Sequence, residues 1–139
     1  MFADPVTVLE RLHTAINRHD LDTFVDCFAA DYASEQPAHP DRAFHGRAQV
    51  RANWSAFFAG VPDLRADLLS WVSAGSVVWA EWRWSGTRLD HSLLDMRGVT
   101  IMGTEDGRIA WGRLYMEETE TDGEGIAATV QHLAGATAR

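Results

Sequence analysis

Asp106-Gly107 most constrains what this 139-residue chain can fold into. The pair sits between two runs rich in β-formers, within MRGVTIMGTEDGRIAWGRLYME from Met96 to Glu117. An Asp-Gly pair in that setting specifies a two-residue hairpin turn, because both central residues of a type I′ turn need positive φ. The simplest register then pairs Thr104 with Ile109, Met102 with Trp111, Thr100 with Arg113, Gly98 with Tyr115 and Met96 with Glu117. Side chains alternate across a strand. One face of the hairpin therefore carries Trp111, Arg113, Tyr115 and Glu117 beside Thr100 and Met102. The opposite face carries Val99, Ile101, Gly103, Ala110, Leu114 and Met116, and is the more apolar. An acid, a guanidinium, a phenol and a hydroxyl among large apolar groups suit a binding pocket. The alternative is that these polar groups are solvated while the apolar face packs the core. A one-residue bulge at the turn would change the cross-strand partners.

Upstream the pattern is helical. Asp4-Pro5 is a helix start, with Asp as N-cap and Pro at the first helical position. Val6, Leu9, Leu12, His13 and Ile16 carry that helix to about Arg18. Asp20 caps a second helix through about Ala29. Residues 31 to 45 hold two prolines and are expected to be extended, with a short strand near Tyr32–Gln36. Gly46 opens a third helix, with Val50, Trp54, Phe57 and Phe58 on one stripe; Gly60 ends it and Pro62 prevents continuation. The period then changes to two, and Leu64–Ala74 and Val77–Thr87 form a strand pair turned at Gly75-Ser76. Helices followed by long antiparallel strands indicate an α+β class. A strongly twisted sheet can curl around a helix and leave a cavity. Large apolar residues on both faces of such a sheet favour a homodimer through its convex side.

Composition narrows the function. The chain is 46% hydrophobic, enough for one domain with a real core. No apolar run reaches membrane-spanning length, so a cytoplasmic protein without membrane attachment is expected. The net charge of −8 disfavours nucleic acid, which needs clustered cations. All twelve basic residues are arginine. Without lysine there is no Schiff-base chemistry and no Walker P-loop, and no GxGxxG occurs. No cofactor is therefore expected. The single cysteine, Cys27, falls in a predicted helix as a buried, inert thiol. His39, Asp41 and His45 lack a third strong partner, and no metal is expected. Gln36 and His39 are instead candidate polar residues at a pocket mouth, and His13, His19, His91 and His132 receive no specific role.

Several motifs converge on a known family: AINRHDLDTF near the N-terminus, Phe44-His45-Gly46 before the third helix, Val61-Pro62-Asp63 after it, Glu81-Trp82-Arg83-Trp84-Ser85-Gly86-Thr87 closing a strand, and Asp106-Gly107-Arg108-Ile109 leading to Tyr115. Over about residues 5–119 the chain resembles the nuclear transport factor 2-like superfamily, closest to its SnoaL-like branch. The resemblance implies a cone-shaped α+β fold in which three N-terminal helices close a strongly curved, mostly antiparallel sheet around a pocket; many members are dimers. Residues 1–119 would form the single domain, and 120–139 an acidic tail that is a short helix or disordered. SnoaL-like cyclases place an acid/base aspartate ten residues after the glycine of the Asp-Gly turn. Here that position is Glu117. Relatives resembling limonene-epoxide hydrolase add an Arg-x-Asp pair on a middle strand, and Glu81-x-Arg83 stands here with the charges reversed.

The candidate catalytic set is Glu117 as acid/base, with Tyr115 and Arg113 polarising a carbonyl or stabilising an enolate. A carboxylate in an apolar cavity gains basicity through desolvation; Arg113 would oppose that shift. Trp54, Gln36, His39, Glu81, Arg83, Thr100, Met102 and Trp111 are candidate substrate-binding residues. Trp82 and Trp84 occupy the face opposite Glu81 and Arg83: pointing inward they would bind an apolar ligand, pointing outward they would build a dimer. The expected function is binding of a small, largely apolar carbonyl compound, with cofactor-independent isomerisation or aldol-type cyclisation. The alternatives are a non-catalytic binder of apolar ligands and an epoxide-type hydrolase.

Overall fold

The computed structural model describes residues 4–136. Helix α1 (Pro5–Arg18) starts as its sequence dictates, the Asp4 carboxylate accepting from the Val6 N–H at 2.9 Å. His19 closes it in the left-handed region, with φ of 52°. Helix α2 (Leu21–Asp26) is capped by Asp20 and stops three residues before the expected Ala29. Its last residue is pinned: Asp26 accepts from Arg11 at 2.6 Å and from Arg108 at 3.1 Å, so the chain leaves the helix there. Strand β1 (Phe28–Glu35) follows, then a 3₁₀ turn at Pro40–Arg42, β2 (Phe44–His45) and helix α3 (Arg47–Gly60). Strands β3 (Arg65–Ala74), β4 (Val77–Thr87), β5 (Leu93–Glu105) and β6 (Arg108–Glu118) come next, and helix α4 (Ile126–Leu133) lies in the tail. The three N-terminal helices of the expected cone are thus joined by a fourth beyond it.

The six strands form one sheet in the order β2-β1-β6-β5-β4-β3. Only β1 and β6 run parallel; the other neighbours are antiparallel. α1 lies across the concave face and buries Leu9, Leu12 and Ile16. Polar side chains fix its position. Asn17 accepts from the Ala66 N–H at 2.7 Å and donates to the Ala66 carbonyl at 3.0 Å, while His13 donates to the same carbonyl at 2.8 Å. His19 donates to the Leu64 carbonyl at 2.8 Å. His13 and His19, unassigned from sequence, are therefore ties between helix and sheet. Ala66 is buried, so Asn17→Ala leaves its N–H unpaired. The expected cost is about 2 kcal/mol, read as a lowered urea midpoint with unchanged slope.

At the Asp-Gly turn both residues have positive φ, 51° for Asp106 and 76° for Gly107, as type I′ requires. Thr104 pairs with Ile109 as expected. Beyond that pair the register departs from the simplest hairpin. Gly103 pairs with Trp111, Met102 with Gly112, Thr100 with Leu114, Gly98 with Met116 and Arg97 with Glu117. Ala110 is the extra residue of a bulge. Its setting is tertiary: the Ile109 N–H is drawn to the Cys27 carbonyl at 2.7 Å, and the Trp111 indole lies over Gly103, where a Cβ would come within 2.0 Å of it.

Candidate functional site

The bulge divides the set that sequence placed on one face. Thr100 and Met102 stay on the concave side, whereas Trp111, Arg113, Tyr115 and Glu117 turn to the convex side. This corrects the expected pairing of Thr100 with Arg113, Met102 with Trp111 and Gly98 with Tyr115. It also separates the candidate catalytic trio from the cavity. Arg113 is exposed and lies over the Trp111 ring, 4.8 Å from its centroid. Tyr115 is 43% exposed. Glu117 meets His39 of the β1–β2 loop, the imidazole Nε2 donating to its Oε1 at 2.5 Å. Glu81 and Arg83 are also convex, in register with Val99 and Arg97. Arg83 pairs there with Asp95 at 2.9 Å, which holds the Asp95 carboxyl below its ordinary range.

A chamber of about 430 Å³ opens between the concave sheet and the helices. Two of its walls differ in chemistry. β4 sends Trp82 and Trp84 inward, and α3 adds Trp54 and Phe57. These rings support one another: Trp54 stands edge-on to Trp84 at 5.3 Å and 78°. The Trp82 N–H donates to the Thr100 hydroxyl at 2.9 Å, satisfying a fully buried indole. The Trp84 N–H is buried without an acceptor. Leu114, Met116, Met96 and Met102 floor the chamber between the walls.

The other wall is polar. Along β1 and just past its end, Tyr32, Ser34 and Gln36 follow the period of two and line the chamber together. Gly112 gives the Tyr32 hydroxyl its space, since a Cβ there would lie 2.5 Å from that oxygen. Burial pushes the Tyr32 phenol above its ordinary pKa, against the opposing effect of the Ser34 hydroxyl, so it stays protonated and can donate. Arg42, on the 3₁₀ turn, reaches the mouth and donates from Nη1 to Gln36 Oε1 at 3.0 Å. Asn53 of α3 lines the chamber as well.

Of the residues singled out from sequence, Trp54, Gln36, Thr100 and Met102 line the chamber; His39, Glu81, Arg83, Trp111, Arg113, Tyr115 and Glu117 do not. Tyr32, Ser34 and Arg42, which also line it, were not singled out, and Trp82 and Trp84 were left open between a ligand wall and a dimer interface. The alternation of Tyr32, Ser34 and Gln36 was a usable signal for the first two, and the two tryptophans awaited only the choice of face. Arg42 carried no such signal. Among the described residues the chamber lining contains no Asp, Glu or His. The acid on the concave side of β6 is Glu118, exposed and bonded to Arg88, at a neighbouring depression that shares Asn53, Ala56, Phe57 and Met96 with the chamber. Cys27 is buried under α2 with its thiol pushed up to about 11 by desolvation, which makes it unreactive near neutral pH.

The sequence matches the SnoaL-like domain over residues 9–111. The chain belongs to the SnoaL-like domain family. Solved structures agree in fold. The SnoaL-like chain is similar to wild-type IdmH of Streptomyces antibioticus, proposed there as a polyketide cyclase, with a TM-score of 0.70, 21% identity, and 84% of this chain and 92% of that one covered. A proposed isomerase from Bacillus subtilis gives a TM-score of 0.71 at 17% identity, covering 96% of this chain and 94% of that one. A protein of ketosteroid isomerase-like fold from Catenulispora acidiphila, solved with trimethylamine, gives 0.67 at 17% identity, covering 80% and 85%. No curated protein matches the sequence. No helix among the described residues is long and apolar enough to cross a membrane.

Proposed function

We propose that this SnoaL-like protein takes a small, largely apolar carbonyl compound into the central chamber and directs its isomerisation or aldol-type cyclisation without a cofactor. The observation that carries this reading is the two-walled chamber: edge-on and tilted aromatic rings on one side and a row of hydrogen-bond donors on the other. Aromatic walls select a folded or planar shape. Holding reacting carbons in contact removes much of the entropic barrier to an intramolecular step. Tyr32, Ser34 and Gln36 can donate to the oxygen on which negative charge develops, while solvent water entering at the mouth takes the α-proton, as the lining has no carboxylate or imidazole. The family and the proposed cyclase and isomerase neighbours support the same class of chemistry.

A second reading, a non-catalytic binder of the same ligand, is favoured by one observation. The chamber lining holds no carboxylate or imidazole to move a proton. The two readings separate on heptane-2,6-dione, whose intramolecular aldol condensation to 3-methylcyclohex-2-enone releases water and is followed by enone absorbance. Acceleration by the protein, retained in Glu117→Gln and slowed about tenfold in Tyr32→Phe, is expected for the enzyme. Binding without acceleration would favour the passive binder. Loss of rate in Glu117→Gln would return the chemistry to the convex face.

The convex face supports a homodimer. Val72, Trp79, Ile101 and Arg113 stand in one row across four strands. Val72 and Trp79 are exposed and Ile101, next to Trp79 in the row, is buried, giving an apolar band that a second copy would cover.

A further inference from the structure

We infer that the chamber selects ligands carrying an acidic oxygen group, a carboxylate or an equally acidic enol, held at the mouth by Arg42 and Gln36. The inference rests on the small-molecule reading above and names the polar end of its ligand. Every ionisable side chain lining the chamber is either a cation or a neutral donor: Arg42 is the one guanidinium and Tyr32 the one phenol, with no acid facing them. Arg42 uses Nη1 on Gln36 Oε1, and so turns the Gln36 amide N–H₂ away from itself. Among the described residues neither that N–H₂ nor Arg42 Nη2 has an acceptor within hydrogen-bond distance. Two adjacent, unspent sets of N–H donors match a group that only accepts, and a carboxylate offers two such oxygens.

The surrounding charge makes this selectivity local. The whole chain carries −8, so its long-range field repels anions. The neighbouring acids are turned elsewhere: Glu117 is bonded to His39 on the convex side, and Glu35 stands in register with the convex Arg113. Asp41, next to Arg42 in the chain, is exposed and outside the chamber lining. Any preference for an anion must therefore come from the mouth itself.

The test is calorimetric titration of the full chain at pH 7.5 with two probes of similar shape, 2-naphthoate and the neutral ketone 2-acetylnaphthalene. The wild-type protein should bind naphthoate about tenfold more tightly than the ketone, as expected of a partly solvated charge-assisted pair. In Arg42→Gln the preference should vanish while the ketone binds as before; Arg42 is exposed on a short turn, so the variant should fold. Equal binding of both probes by the wild type would overturn the inference and leave the chamber reading intact. A preference that survives Arg42→Gln would likewise overturn it. If neither probe binds, the small-molecule reading itself fails and this inference falls with it.

Discussion

Gly98→Ala should lower the melting temperature by roughly 15 °C, from a loss of about 4 kcal/mol. Gly98 lies in the middle of β5 with φ of 156°, and a Cβ there would sit 1.8 Å from the Tyr115 carbonyl oxygen and 2.9 Å from the Met116 Cα. Those atoms belong to the backbone of β6, so no rotamer change relieves the overlap. The strands must separate, and the β5–β6 ladder holds the centre of the sheet. The glycine lets β6 approach closely where the sheet bends around the chamber. Gly60→Ala is the control. An added Cβ there meets nothing within 4 Å, and alanine at the end of a helix should leave the melting temperature unchanged or slightly raised. A Gly98→Ala protein as stable as the wild type would mean that β5 and β6 do not meet in this register.

Leu114→Trp should reduce small-molecule affinity about a hundredfold, because the indole occupies space the ligand needs. Leu114 points into the chamber between Trp82 and the β1 wall, and the chamber can accept the larger side chain without forcing the core apart. Tyr115→Trp, one residue along on the opposite face, should leave affinity within about twofold, since it adds no atom to the chamber. Titration of both variants with 2-naphthoate reads the strand alternation directly. The result would invert if the simplest hairpin register held, because Leu114 would then face outward and Tyr115 inward.

That inversion marks where local signals in the chain stop deciding the fold. The turn was legible because Asp106-Gly107 is a local signal with a local cause: two adjacent positive φ values. The first helix was legible from Asp4-Pro5 and its apolar stripe, and the third from Gly46, Gly60 and Pro62 around one. The bulge at Ala110 was not, because its partners are remote in the chain. Ile109 bonds to the Cys27 carbonyl and Arg108 to Asp26, so the start of β6 is anchored to the end of α2 before it meets β5. One inserted residue then turned Glu117, Tyr115 and Arg113 outward while Thr100 and Met102 stayed inside. The same long-range tie ended α2 at Asp26 and let β1 begin at Phe28, where helical propensity alone continued the helix. For β4, alternation gave two faces and only a slight preference for Glu81 and Arg83 inside, which the structure reverses. Packing against Trp54 decides in favour of Trp82 and Trp84, with Glu81 and Arg83 outside.

The most direct test of the central claim is a crystal structure of the full chain grown with 2-naphthoate. The ring system should lie between Trp82, Trp84 and Trp54 on one side and Tyr32 and Ser34 on the other, with its oxygens toward Gln36 and Arg42. A ligand seated instead on the convex face against Tyr115 and Glu117, with the chamber filled only by solvent, would contradict it.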